Sequence, residues 1–256
     1  MLHNTFCRRL AALVLTLAVA VSAVLPVFAV YPMPIQTATE TEAVYLFNAD
    51  TGKTLLTQNA DQPRYVASLT KMMTALLLLE SGKDLNGEVT VPTDLTQEFK
   101  DIQNANGTTM GLRIGETVRR IDLLNALLIT SANDAASVIA WDVGGSLNAF
   151  IQQMNARAAE LGCTSATFTC AHGLYDYGNV ASAEDMAKIA AACAANETFA
   201  QVAGSTTYTL GQTNFHSEQR TISSSNPLMD ASGAYYKDSV KWAKGGFTTL
   251  AGRCAV

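Results

Sequence analysis

The feature that most constrains this chain is a long apolar stretch that begins directly behind a serine and a lysine. Ser68 and Lys71 stand three positions apart, and the following segment Met72–Glu80 reads MMTALLLLE. Apolar residues fill nearly every face of a helix with this sequence, so we predict a buried central helix. The three-residue spacing puts both polar side chains on one helical face, within hydrogen-bond reach of each other.

This spacing suits acyl-transfer chemistry. Lys71, at the start of an apolar helix, loses solvation, which favours its neutral form, lowers the pKa of the amine and makes it usable as a base. Ser68, at the helix N-terminus, has backbone N–H groups and the positive end of the helix dipole beside it, which favours a developing oxyanion. The alternative is an ordinary N-cap serine followed by a solvated first-turn lysine, and this motif alone does not decide.

Two further motifs contain candidate site residues. Ser131 and Asn133 lie in a loop between two predicted helices. There a hydroxyl can relay a proton and an amide can hold a substrate peptide group, although a simple capping segment is the alternative. Lys244 precedes Gly245 and Gly246 in a predicted late strand, where glycines often mark close approach of a ligand or another backbone. The lysine would offer a fixed positive charge to a substrate carboxylate, or be an ordinary exposed strand lysine.

Composition excludes several classes of protein. A chain of 256 residues, 48% hydrophobic and 15% charged, has ample core material for one catalytic unit with a subdomain. A net charge of −5 without a basic stripe argues against a nucleic-acid partner. Neither H-E-x-x-H nor C-x-x-C occurs, so we predict no metal site and no cofactor. We predict free thiols at the dispersed cysteines, with a small Cys163–Cys170 loop as the alternative.

Residues 1–29 have the pattern of a secretory signal. Arg8 and Arg9 lie in a positive n-region, Leu10–Leu25 is apolar, and Val27–Ala29 offers a small-residue cleavage site. A transmembrane anchor is the alternative, but the apolar run is short and Pro26 interrupts its end. We therefore predict an exported protein whose catalytic domain comprises residues 30–256.

Local patterns predict strands at both ends of the chain and helices in the middle. Terminal strands that share one antiparallel sheet around a helical middle indicate an α+β fold. The predicted strands are Ala43–Phe47 and Lys53–Leu56 as a hairpin, Glu88–Val91, Met110–Arg113, Thr207–Leu210, Thr221–Ile222 and segments after Asp238. The predicted helices are Ser68–Glu80, Arg119–Ile129, Ala135–Val143, Leu147–Leu161 and, as the last one, Ser182–Ala195.

In chain order, Ser68-x-x-Lys71, Ser131-x-Asn133 and Lys244-x-Gly246 form the triple of serine penicillin-binding proteins and serine β-lactamases. From about Glu42 to Val256 the sequence resembles the D-alanyl-D-alanine carboxypeptidases, which are low-molecular-mass penicillin-binding proteins of peptidase family S11. Beyond the triple, the resemblance is carried by Leu127–Ala136, Met154-Asn155, Leu161-Gly162, His172-Gly173-Leu174 and Thr249–Cys254.

The resemblance implies a transpeptidase-like fold, with a five-stranded antiparallel sheet, helices packed on it and a mostly helical subdomain. It implies a role for each site residue: Ser68 as acylated nucleophile, Lys71 as general base, Ser131 as proton carrier to the leaving group, Asn133 as peptide-binding amide and Lys244 as carboxylate-binding cation. The backbone N–H groups of Ser68 and Phe247 would form the oxyanion hole. Gly245 and Gly246 would belong to the substrate-binding strand.

The chain departs from the family in two respects. Gly245 replaces a usual threonine in the third motif, and Trp242 replaces a usual glycine two residues before Lys244. Family members also continue past the position of Val256, through further strands, a helix, a β-rich domain and often an amphipathic membrane anchor. We therefore expect a catalytic domain that lacks its final strands and helix, and a membrane anchor only in a full-length form.

The resulting functional prediction is a serine-type D-Ala-D-Ala carboxypeptidase on the cell-wall side of the bacterial membrane. It would remove the terminal D-alanine of peptidoglycan stem peptides through a Ser68 acyl-enzyme during cell-wall biosynthesis and remodelling, with β-lactams as covalent inhibitors. One alternative is a non-catalytic binder of peptidoglycan or penicillin, since Gly245 and the shortened C-terminus would impair activity. A serine β-lactamase is the other, although residues 134–244 contain no Glu-x-x-Leu-Asn to promote deacylation.

Overall fold

The computed structural model describes residues 41–174 and 178–256 of the chain. The predicted export signal, residues 1–29, lies outside the described residues. Within the described ranges, no helix combines the length and apolar character needed to cross a membrane. The same ranges contain no cluster of three or more His, Cys, Asp or Glu side chains arranged to hold a metal ion.

Seven α-helices form the larger part of the regular structure in the described ranges. They are α1 (Thr70–Glu80), α2 (Thr96–Asn104), α3 (Arg120–Asn125), α4 (Asn133–Gly144), α5 (Leu147–Glu160), α6 (Ala183–Ala194) and α7 (Glu197–Ala203). Short 3₁₀ turns, Ala67–Leu69 and Thr93–Leu95, lead into α1 and α2, and a π-helical turn, Ala126–Thr130, extends α3.

Helix α1 is the centre of the core, as predicted. Its residues Met72, Met73, Ala75 and Leu78 are all fully buried. The helix packs against α4, α5, α6 and α7, so partners cover several of its faces. This explains why its sequence is apolar nearly all round, since each large side chain withdrawn from water contributes about 1.5–3 kcal/mol.

Ten strands pair as five antiparallel two-stranded ladders in the described part of the chain. They are β1 (Val44–Phe47), β2 (Thr54–Gln58), β3 (Arg64–Tyr65), β4 (Glu88–Thr90), β5 (Thr117–Arg119), β6 (Val180–Ala181), β7 (Thr207–Leu210), β8 (Arg220–Ser223), β9 (Gly245–Thr248) and β10 (Gly252–Ala255). The ladders are β1–β2, β3–β6, β4–β5, β7–β8 and β9–β10. The α+β class and the first hairpin are confirmed.

The predicted joining of the terminal strands in one five-stranded sheet is not observed among the described residues. There the hairpins β1–β2 and β9–β10 share no hydrogen-bonded edge. In the described ranges each of these strands pairs only with its hairpin neighbour.

Three local predictions were wrong. Met110–Arg113 is not a strand, because the Asp134 carboxylate accepts the backbone N–H groups of Met110, Gly111 and Leu112 in place of a neighbouring strand.

Helix α2 occupies a region predicted as strands and loops; it is polar apart from one side, where Ile102 is buried. Helix α7 follows α6, so α6 is not the last helix, and the Asn196 side chain caps α7 by accepting the N–H of Phe199.

Candidate active site

The turn before α1 holds Ser68 in an unusual backbone. Ala67 adopts a positive φ of 48°, which costs a non-glycine residue about 1 kcal/mol. The Thr70 hydroxyl donates to the Ala67 carbonyl at 2.8 Å and receives a hydrogen bond from Asn179 at 2.8 Å. A Cβ on Gly173 would overlap the Ala67 carbonyl, so only glycine allows this close packing. The surrounding structure thus fixes the turn that presents Ser68.

Lys71 lies one turn further, with its amine inside the protein. Its Nζ is 3.1 Å from Ser68 Oγ, 2.8 Å from Asn133 Oδ1 and 2.7 Å from the backbone oxygen of His172. Burial of the fully inaccessible side chain, and then the nearby positive charge of Lys244, hold the pKa of Lys71 well below that of a free lysine. The hydrogen bond between Ser68 and Lys71 that the three-residue spacing predicts is present in the structure.

Ser131 and Lys244 meet although they are distant in sequence. The π-helical turn Ala126–Thr130 ends in Ser131, whose left-handed backbone (φ 62°) breaks the helix before α4. Lys244 Nζ donates to Ser131 Oγ at 3.0 Å and to the backbone oxygen of Gly245 at 2.7 Å. Lys244 is buried rather than an exposed strand lysine, and burial lowers its pKa to about 8.

Asn133 lies at the start of α4, and its polar groups form hydrogen bonds with other residues of the protein. Its backbone N–H and its side-chain Nδ2 both donate to the carbonyl of Thr108, at 2.8 and 3.0 Å. Its Oδ1 accepts from Lys71. The geometry therefore makes Asn133 an orienting partner of the lysine, and its contact with a substrate peptide stays a prediction.

Strand β9 passes directly beside the serine turn. A Cβ on Gly246 would lie 2.8 Å from the backbone nitrogen of Ser68, so the strand approaches this closely only with glycine. Lys244 and Val256 exchange two backbone hydrogen bonds, and their register directs the N–H of Phe247 away from β10. That N–H therefore lies on the edge of β9 that faces away from β10, and its part in an oxyanion hole with the N–H of Ser68 stays a prediction.

The two departures from the family pattern have different surroundings. Gly245 is exposed, and a Cβ there would meet only the backbone oxygen of Cys254, at 3.9 Å. Trp242 packs edge-on against Phe199 of α7, with ring centroids 5.2 Å apart. The tryptophan therefore anchors the segment that leads to Lys244.

A polar network behind Lys71 was missed by motif analysis. Glu98, on the unpredicted helix α2, accepts a hydrogen bond from Ser137 at 2.9 Å and lies 2.9 Å from Nε2 of His172. The hydrogen bond with His172 is the main cause that lowers the pKa of Glu98. His172 stood out only as part of the His172–Leu174 resemblance, and no local signal marked Glu98.

The cysteines in the described part of the chain take no part in a disulfide. Cys163, Cys170, Cys193 and Cys254 are free thiols, and Cys193 among these four is fully buried. Desolvation raises the pKa of Cys163 to about 11.

This arrangement has the parts of a two-step acyl-transfer site. A hydroxyl lies beside a buried amine whose pKa is lowered, strand β9 passes next to the serine turn, and a buried lysine offers a cation.

Comparison with known proteins finds similarity to D-alanyl-D-alanine carboxypeptidases and to a DD-transpeptidase. The family model described as D-alanyl-D-alanine carboxypeptidase, peptidase S11, matches residues 32–256. The D-alanyl-D-alanine carboxypeptidase DacF of Bacillus subtilis is 33% identical over 60% of this chain, but the match spans only 39% of that relative's length. A point mutant of the Streptomyces K15 DD-transpeptidase superposes with a TM-score of 0.73 at 28% identity, covering 82% of this chain and 81% of that one. A D-alanyl-D-alanine carboxypeptidase from Mycobacterium tuberculosis gives 0.71 at 26% identity, covering 82% and 74%.

Proposed function

Because this chain belongs to the D-alanyl-D-alanine carboxypeptidase family, peptidase S11, we propose that it is a serine-type D-Ala-D-Ala carboxypeptidase. Its substrates are peptidoglycan stem peptides that end in D-Ala-D-Ala, and β-lactams are its covalent inhibitors. The observation that carries the proposal is the buried Lys71 amine, 3.1 Å from Ser68 Oγ on one helical turn.

The acylation step follows from this pair. Neutral Lys71 takes the hydroxyl proton as Ser68 Oγ attacks the carbonyl carbon of the penultimate D-alanine. The N–H groups of Ser68 and Phe247 stabilise the oxyanion of the tetrahedral intermediate. The C–N bond then breaks, and Ser131 passes the proton held by Lys71 to the amine of the leaving D-alanine. The products are free D-alanine and an ester on Ser68.

Deacylation uses the same base. A water molecule attacks the ester carbon while Lys71, neutral again, takes a proton from the water. The C–O bond to Ser68 breaks, and the proton returns to Oγ. The shortened stem peptide leaves with a new carboxylate.

Lys244 and Asn133 serve binding in this scheme. Lys244 attracts the terminal carboxylate of the substrate, and Asn133 holds the amine of Lys71 in place and offers its amide to the substrate peptide. Gly245 and Gly246 form the backbone strand beside which the substrate lies. Two observations support these binding roles: the hydrogen bond from Lys244 to Ser131, and the close approach of Gly246 to Ser68.

Intact-mass spectrometry with penicillin and a D-Ala-D-Ala peptide tests the proposal. The unmodified protein should gain the mass of one penicillin and release D-alanine, and Ser68→Ala should do neither. Ser217→Ala, an exposed serine far along the chain, is the matched control and should behave as the unmodified protein.

Other outcomes would contradict the proposal. A stable penicillin adduct without D-alanine release would identify a non-catalytic binder. Multiple turnovers of β-lactam hydrolysis would identify a β-lactamase. An adduct that persists in Ser68→Ala would assign the nucleophile to another residue.

We further propose that residues 1–29 direct export and are removed. Two arginines, an apolar segment and a small-residue site in that stretch support this. The N-terminal residue of protein recovered from outside the cytoplasm of an expressing bacterium should be Val30. Recovery of a chain that still begins at Met1 would contradict the proposal.

A further inference from the structure

The direction of the Lys71 lone pair is set by two oxygen atoms. A neutral amine has two hydrogens and one lone pair. The oxygens of Asn133 (Oδ1) and His172 (backbone) can only accept, so they take both hydrogens, at 2.8 and 2.7 Å. The lone pair is then left for the third neighbour, Ser68 Oγ. A base in this position removes the hydroxyl proton only while both oxygens stay in place.

The His172 oxygen is held through its own side chain. Nδ1 of the buried imidazole accepts the backbone N–H of Leu174 at 3.0 Å, so in the neutral ring the proton lies on Nε2. That N–H donates to Glu98 Oε1 at 2.9 Å. Both ring nitrogens are therefore fixed, and the neighbouring Ala171 carbonyl accepts the Thr74 hydroxyl at 2.6 Å.

The hydrogen bond between Nε2 of His172 and Glu98 does not depend on the charge of the imidazole ring. Burial disfavours the charged imidazole, but the neighbouring Cys170 and Glu98 side chains outweigh burial and raise the pKa of His172. Glu98, Cys170 and Lys71 are the titratable groups that act on the ring. In either protonation state Nε2 carries a hydrogen towards Glu98, so the hydrogen bond persists.

Glu98 is itself tied to a second helix. Its Oε1 accepts the Ser137 hydroxyl of α4 as well as the His172 proton. The carboxylate therefore links α2 to α4 and to the His172 segment, which contain the two oxygens that accept from Lys71. It has no contact with Ser68 or Lys71 among its hydrogen bonds in the described ranges.

We infer that Glu98 is a positioning residue for acylation, which acts through His172 to keep the Lys71 lone pair directed at Ser68. The inference rests on the proposed role of Lys71 as the base. Glutamine in place of Glu98 can still accept from His172 and Ser137, whereas alanine removes both hydrogen bonds.

Penicillin acylation kinetics separate positioning from a structural role. Glu98→Ala should lower the first-order acylation step by about 10- to 100-fold, the loss expected for a slightly misplaced group, and leave the preceding non-covalent binding within about 3-fold. Glu98→Gln should restore most of the rate. Asp101→Ala, an exposed carboxylate on the same helix, is the matched control and should leave both steps unchanged.

A second measurement addresses Lys71 directly and needs no enzyme activity. Competitive labelling with acetic anhydride reports how available each amine is, with exposed Lys241 as the internal reference. The labelling rate of Lys71 should rise several-fold in Glu98→Ala and stay near the original value in Glu98→Gln.

The outcomes distinguish the inference from the proposed function. If the unmodified protein forms no Ser68 adduct, the proposed function fails, and the labelling of Lys71 still decides whether Glu98 positions it. If acylation occurs but Glu98→Ala changes neither the acylation step nor the labelling, the inference is overturned and the function stands. Equal losses in Glu98→Ala and Glu98→Gln, with a large fall in Tm, would also overturn it in favour of a structural role.

Discussion

Lys244 donates a hydrogen bond of 3.0 Å to the hydroxyl of Ser131, across 113 positions of the chain. This bond joins the loop before α4 to the start of β9. Burial leaves Lys244 with a pKa of about 8, so its positive charge, and any attraction for a substrate carboxylate, is present only at or below mildly alkaline pH. Lys71, whose pKa is also lowered, must be neutral to act as a base.

The two lysines predict a bell-shaped pH profile for kcat/KM. Activity should rise with pH as Lys71 loses its proton, and fall above a pH of about 8 as Lys244 loses its own. Lys244→Arg keeps the positive charge at alkaline pH and should remove the alkaline limb, even if the maximum is lower. Lys241→Arg, on the exposed surface nearby, should leave the profile unchanged. An alkaline limb that survives in Lys244→Arg would show that another group causes it.

We expect a side chain to be tolerated at Gly245 but not at Gly246. A methyl group at Gly246 would lie 2.8 Å from Ser68 N and would push the strand away from the serine turn. Gly246→Ala should therefore reduce penicillin acylation by more than about 10-fold, because the oxyanion donors separate. Gly245→Ala is the matched control, since its Cβ would make only an ordinary contact with the Cys254 backbone oxygen, at 3.9 Å, and it should stay within about 3-fold of the original rate. Similar rates in the two variants would mean that β9 does not pack against the turn as described.

How far the sequence predicts this site depends on the range of each contact. Ser68 and Lys71 were predictable because three-residue spacing on a helix brings them together whatever the rest of the fold does. The bond from Glu98 to His172 spans 74 positions, and no local pattern encodes such a contact. Family resemblance placed Ser131 and Lys244 in the same site, since their separate motifs have ordinary local interpretations, but it did not predict the hydrogen bond between them.

At Met110–Arg113 the local sequence pattern gave a wrong prediction of a strand. The segment resembles a short strand, but the N–H groups of its first three residues bond to the Asp134 carboxylate, 22 to 24 residues away, instead of to another strand. Backbone hydrogen bonds must be satisfied, but the sequence does not say by which partner.

Asp134 should accordingly be a strong determinant of stability. Its two carboxylate oxygens accept four backbone N–H groups, those of Met110, Gly111, Leu112 and Ala135. Asp134→Asn replaces one acceptor oxygen by an amide that faces N–H groups, so at least one buried donor loses its partner at a cost of about 1–3 kcal/mol. The free energy of unfolding in urea should fall by about that amount, whereas Asp50→Asn in an exposed turn should change it little. An unchanged midpoint in Asp134→Asn would show that this loop is not held by the carboxylate.

We expect a substitution that adds a hydroxyl at Gly245 to increase activity. A threonine there would add a donor for the substrate carboxylate beside the charge of Lys244, and the open space around the position allows the side chain. A hydrogen bond to a charged group contributes roughly 1.5–3 kcal/mol, and a water in place of the hydroxyl would supply part of that. Gly245→Thr should therefore raise kcat/KM for D-alanine release by several-fold, and β-lactam acylation should rise with it, because those inhibitors carry a carboxylate. Gly245→Val has nearly the same shape without the hydroxyl and should give no gain. If threonine and valine have equal effects, or if threonine lowers both rates, the carboxylate does not bind at Lys244-Gly245-Gly246.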